Sequence, residues 1–149
     1  MKNALLEQNQ FTSTKQGCAM DYAWKIDTPH STYDEAAPML TTLQLTGGRL
    51  VRGFLYFPTG PAGLLHLVVL RGLNQIIPAE KGSNYALNDC VVPFFPDLEL
   101  DHPPYTLDAL TWNESTQHNH TLTLSLFLDP WSDPTKRRTW FQRLGDKLK

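Results

Sequence analysis

An all-β chain, an antiparallel sandwich or jelly roll, is the fold class this sequence predicts, and three observations carry it. First, residues 120–128 read His-Thr-Leu-Thr-Leu-Ser-Leu-Phe-Leu, with Leu122, Leu124, Leu126 and Leu128 at every second position. Side chains alternate across a strand, so one face is apolar and the other largely hydroxylated. Second, short apolar runs recur between Pro- and Gly-rich breaks, giving seven or eight strands and no internal repeat. Third, 149 residues with 41% hydrophobic and 19% charged side chains suffice for one domain with a real core and argue against disorder.

Residues 1–37 are rich in Gln, Asn, Ser and Thr and read as an extended N-terminal arm, with a short strand at residues 22–26. The β domain spans residues 38–130. Its first strand covers residues 39–45. Thr46-Gly-Gly-Arg49 is a hairpin signal, because paired glycines reach positive φ at little cost. The second strand covers residues 50–57, and Pro58-Thr-Gly-Pro-Ala-Gly63 then breaks the chain.

Residues 64–70 are almost continuously apolar, as in a strand that is central or covered on both sides. His66 interrupts that run and reads as a hydrogen-bonded core or interface residue. A short strand at residues 74–77 is stopped by Pro78, and residues 79–89 form a polar loop. Residues 90–95 form a strand that Pro93 confines to an edge or bulge. Residues 96–104 are an acidic loop, residues 105–112 a further strand, and residues 113–119 the turn into the leucine-rich strand.

After Asp129-Pro130 the periodicity changes. Trp140, Phe141, Leu144 and Leu148 share one face of a helix, and Asp133-Pro134 supplies an N-cap and first helical residue. Residues 131–149 are therefore expected to form a short basic amphipathic helix. Six bases against two acids leave this tail at +4, whereas seven bases and thirteen acids leave residues 1–130 at −6. An acidic body with a basic tail implies two surfaces with different partners.

No start of basic residues followed by an apolar segment marks a secretory signal, and the longest apolar run is too short to span a bilayer. Cys18 and Cys90 are far apart and read as free buried thiols ahead of the alternative, a disulfide between them. The sequence holds no G-x-S-x-G, Walker loop, G-x-G-x-x-G or H-E-x-x-H. His118-Asn-His120 spells a nuclease motif, but a strand follows where that motif needs a helix. On a strand the two imidazoles share a face and would bind Zn²⁺ or Ni²⁺ given a third ligand, with His66 and His102 as the distant candidates. Asp97, Glu99 and Asp101 alternate along one face as Ca²⁺ ligands would, but no EF-hand-type loop is present, and Leu98 and Leu100 account for the alternation as an edge strand with a solvated face. Asn113-Glu-Ser and Asn119-His-Thr match the N-glycosylation pattern.

At Phe57-Pro-Thr-Gly-Pro-Ala-Gly-Leu-Leu-His66, Gln75-Ile-Ile-Pro78, Trp112-Asn-Glu and His120-Thr-Leu-Thr-Leu, the chain resembles small β-sandwich proteins encoded among the structural genes of tailed phages and prophages. The resemblance covers about residues 40–130. It implies a virion component made in the host cytoplasm: a head decoration, neck, tail or fibre-base module. It carries over no catalytic residue and no cofactor.

The expectation is thus a structural or interaction module and not an enzyme. It would dock on other virion proteins or on further copies of itself through its arm and tail. The residues expected to bind the partner are Trp131, Arg137, Arg138, Trp140, Phe141, Leu144 and Leu148. Nucleic acid and an anionic membrane surface are weaker matches to six scattered bases. The competing expectation is a metal- or carbohydrate-binding sandwich, or a metal-dependent enzyme, built on His118 and His120.

Overall fold

The computed structural model describes residues 20–130. It is all-β: nine strands, no helix among the described residues, and two antiparallel sheets. The strands are β1 (Met20–Thr28), β2 (Met39–Gln44), β3 (Gly48–Phe57), β4 (Leu65–Arg71), β5 (Asn74–Ile77), β6 (Cys90–Phe94), β7 (Leu98–Leu100), β8 (Thr106–Asn113) and β9 (His120–Pro130). The five-stranded sheet runs β1-β9-β3-β6, with β7 also paired to β3. The four-stranded sheet runs β2-β8-β4-β5. The pairings nest: β1 with β9, β2 with β8, β3 with β6, β4 with β5.

The leucine-rich strand sits between β1 and β3, where its alternation predicts one buried face. Leu122, Leu124, Leu126 and Leu128 are fully buried. Each contributes about 1.5–3 kcal/mol through removal from water. They share one core with Leu50, Leu55 and Phe57 of β3, Leu65, Leu67 and Val69 of β4, and Leu107 and Ala109 of β8. That core draws on both sheets. A buried hydrogen bond also ties them, with Thr28 Oγ1 donating to Thr111 Oγ1 at 2.8 Å.

On β3 the inward parity changes partway along the strand. Leu50 faces Leu128, Arg52 faces Phe127, and the extra residue between them, Val51, is a bulge. Without it, Leu50 and the Leu55–Phe57 end would point to opposite faces.

Three sequence expectations change. The arm expected over residues 1–37 is described only from residue 20, and there it pairs with β9 at all nine positions of β1. The sheet therefore starts well before Pro38. The alternating Tyr22, Trp24 and Ile26 face the core side, with Tyr22 and Trp24 stacked at 5.7 Å. The Thr46–Arg49 segment is not a hairpin, because β2 and β3 lie in different sheets. Its glycines serve close packing: a Cβ on Gly47 would press on the Tyr105 ring, and one on Gly48 would overlap the Asp129 carbonyl. Finally, the acidic loop contains β7, an edge strand held by Leu98 and the fully buried Leu100.

The other strands match their sequence signals. β4, apolar on both faces, is an interior strand between β8 and β5. β6, with Pro93, lies at an edge of the five-stranded sheet.

Candidate functional site

The outward face of the five-stranded sheet is where the hydroxylated pattern of β9 gives way. Thr121, Thr123 and Ser125 point outward, and so does Phe127. Beside them β3 presents Arg52, Phe54 and Tyr56, and β6 presents Val91 and Pro93. Register places Phe54 between Ser125 and Pro93, and Tyr56 between Thr123 and Val91. The result is an apolar stripe across three strands, with Phe54 36%, Tyr56 43% and Val91 56% exposed. Phe95, just past β6, is 72% exposed.

The stripe has internal order. Phe54 and Phe127 meet edge to face at 5.8 Å, and the Arg52 guanidinium lies 4.6 Å from the centre of the Phe127 ring. Charges of both signs border it on the same face: Asp21, Lys25 and Asp27 on β1, and Asp129 at the end of β9 opposite Arg49 of β3. What this surface offers is apolar area and ring faces, with one guanidinium beside them. A contiguous exposed apolar patch on a sheet marks an interaction site more often than chance.

The outward face of the four-stranded sheet is better covered. Residues 78–85 fold over it around Gln75, whose Nε2 donates to the carbonyls of Pro78, Glu80 and Ser83 while Oε1 accepts from Gly82 N. Tyr85 bridges to Leu67 through two backbone hydrogen bonds. His66, read from the sequence as a hydrogen-bonded core or interface residue, lies beneath this loop. Its ring stacks on Trp112 at 4.7 Å, and its Nδ1 pairs with Asn84 Oδ1 at 2.8 Å. Nε2 is buried without a hydrogen bond and faces Glu114 Oε1 at 3.4 Å.

His118 and His120 do approach each other, with ring centres 6.5 Å apart. Burial, and then the neighbouring His118, hold the His120 pKa below the usual histidine value. Among the described residues no group of three His, Cys, Asp or Glu side chains is arranged to hold a metal. The acids of the 97–101 segment are engaged separately. Asp97 accepts from Arg49 Nε at 2.6 Å, which lowers the Asp97 pKa. Asp101 meets His102 and Arg71.

Asn113 of the first glycosylation pattern is buried. Its Nδ2 donates to the carbonyls of Thr28 and His118, and its Oδ1 accepts from Ser115 N. That asparagine builds the β8–β9 turn and offers no free amide to modify.

Trp131, Arg137, Arg138, Trp140, Phe141, Leu144 and Leu148 lie outside the described residues, as does Cys18. Cys90 is half-buried and free of any disulfide among the described residues. The stripe on β3, β6 and β9 was not singled out from the sequence. Its signal was there in Phe54-Leu-Tyr-Phe57 and Val91-Val-Pro-Phe-Phe95, which are apolar on both alternating faces where an edge or half-buried strand should be polar on one. Comparison of the chain with protein-family models, with curated proteins and with solved structures finds no match.

Proposed function

We propose that this protein is a structural module of a larger assembly, a virion component of the tailed-phage type, and that it works by docking and not by catalysis. The observation that carries the reading is the exposed apolar stripe on the outward face of the five-stranded sheet. A lone domain gains nothing by leaving Phe54, Tyr56 and Val91 in water, whereas an assembly buries them.

The finer fold supports the same reading. Nested pairing of β1 with β9, β2 with β8, β3 with β6 and β4 with β5 fits a jelly-roll sandwich, in which a long hairpin is wrapped into two sheets. Jelly rolls recur in viral capsid domains, and that argument is by analogy of fold. An N-terminal arm before β1 and a basic amphipathic helix after β9 would supply further contacts.

Particle incorporation tests the proposal. The chain is produced together with the products of its neighbouring genes, and assembled particles are purified on a gradient and weighed by component. A stoichiometric presence in particles, with capsid, portal or tail genes nearby, is the expected result. A chain that never co-sediments with particles, encoded among metabolic genes, would overturn it.

A further inference from the structure

We propose that the cleft between the β4–β5 turn and residues 98–108 binds an uncharged saccharide. This goes beyond the docking reading and does not rest on it. The cleft draws on β4, β5, β7 and β8, whereas the exposed stripe lies on β3, β6 and β9. Its volume is about 580 Å³. Small-ligand sites occupy roughly 300–1,000 Å³.

Five polar side chains line the cleft: Arg71, Asn74, His102, Thr106 and Asp108. Three of them are held in place by neighbours. Arg71 Nη1 donates to the Glu99 carbonyl of β7, and Nη2 lies 3.5 Å from Asp101 Oδ1, so the guanidinium reaches from one sheet to the other. His102 Nδ1 pairs with Asp101 Oδ1 at 2.6 Å. Beside that carboxylate Nδ1 carries the proton, and the neutral ring keeps Nε2 as an acceptor. Asp108 Oδ1 accepts from Thr42 Oγ1 at 3.2 Å, and Oδ2 has no partner among the described residues. The Asn74 amide and the Thr106 hydroxyl also make no side-chain hydrogen bond among the described residues. A site fixed in this way loses little freedom when a ligand enters.

The chemistry of the lining selects the ligand class. Arg71 and Asp108 offset each other within the cleft, and Asp101 stands beside both Arg71 and His102. Neither a phosphate nor an ammonium group finds an unopposed counter-charge there. An apolar ligand would strand the polar groups away from water. What remains is a mixed set: guanidinium donors, carboxylate and imidazole acceptors, and an amide and a hydroxyl that do both. The neighbouring hydroxyls of a sugar ring each donate and accept, and match that set. Ile76, Leu98 and Pro104 supply apolar wall for the C–H face of the ring.

An NMR titration of the isotope-labelled full-length chain tests the proposal. The probes are methyl glucoside, methyl galactoside, methyl mannoside and N-acetylglucosamine, each alone, with glycerol and inorganic phosphate as controls. At least one sugar should give saturable amide shifts confined to residues 71–76 and 98–108. The Kd should be on the order of 1 mM, because no Trp, Tyr or Phe among the described residues lines the cleft for stacking. Asn74→Ala and Asp108→Ala should each bind roughly tenfold more weakly, and Tyr56→Ala, on the stripe, should bind like wild type. Asn74 is exposed, so Asn74→Ala carries the test alone if Asp108→Ala loses its fold by circular dichroism. No saturable shift with any sugar would overturn the proposal, as would unchanged affinity in Asn74→Ala or saturation by phosphate or glycerol. None of these results bears on particle incorporation, which judges the assembly reading separately.

Discussion

Replacing Gly53 with Ala should destabilise the fold through a single methyl group. Gly53 lies on β3 opposite both Leu126 of β9 and Phe94 of β6, on the inward face. A Cβ there would fall inside the van der Waals envelope of the Phe94 ring. It would also stand 2.7 Å from the Ser125 carbonyl oxygen, where ordinary contact begins at 3.4 Å. The ring can swing, but the carbonyl belongs to the β3–β9 ladder and cannot move without disturbing it.

Overpacking of this kind costs about 1–3 kcal/mol. Relief of glycine's backbone entropy returns about 0.5–1 kcal/mol. The net loss should be about 1–2 kcal/mol, a fall in Tm of roughly 3–6 °C for a chain of this size. Urea and thermal unfolding measure it. Phe94→Leu in the same background removes the ring from the clash, so the double variant should be less unstable than the sum of the singles by roughly 1 kcal/mol. A Gly53→Ala protein as stable as wild type, or strict additivity with Phe94→Leu, would refute the packing argument.

Asn113→Ala should strip partners from the Thr28 and His118 carbonyls and from Ser115 N. A loss of about 2–4 kcal/mol in chemical unfolding is expected for those stranded groups. Gln75→Glu turns a donor toward three carbonyls into a carboxylate, so amides of residues 79–83 should exchange faster by hydrogen exchange while the core strands stay protected. The His120 pKa is depressed in the folded state by burial and by His118. The unfolded chain therefore binds the proton more readily, and this contribution to stability is present above the ordinary histidine pKa and fades as pH falls through the lower folded one. An NMR titration should find the His120 midpoint below that of a free histidine, moving upward in His118→Asn. Coincidence of the two midpoints would remove His118 as a cause.

Strands with a single clear period were legible in the sequence. β9 declares its buried face through four leucines, β4 its interior place through a run apolar on both faces but for His66, and β6 its edge through Pro93. What escaped depends on partners distant in sequence. The Val51 bulge is visible only once Leu50 and Arg52 are set against Leu128 and Phe127. The Gly47-Gly48 pair suggested a turn because paired glycines do so locally, yet here they clear space for Tyr105 and Asp129. The outward stripe stayed hidden for a similar reason. Phe54, Tyr56, Val91 and Phe127 come from three separate segments, and only the register of β3 with β6 and β9 makes them one surface.

The nested pairing also sets the order in which the chain can find its structure. β4 and β5 are neighbours and meet at once, whereas Thr28 to His120 and Met20 to Leu128 are separated by 92 and 108 residues. Closing a loop of that length costs about 4 kcal/mol in chain entropy before any contact is gained. β9 also supplies the second neighbour of β3, so until the last described strand arrives, β1 and β3 each expose an open edge. Such a topology folds slowly and is most vulnerable to sticking between chains while it waits. Slow synthesis at low temperature should therefore raise the soluble yield more than any change to the surface of the finished fold.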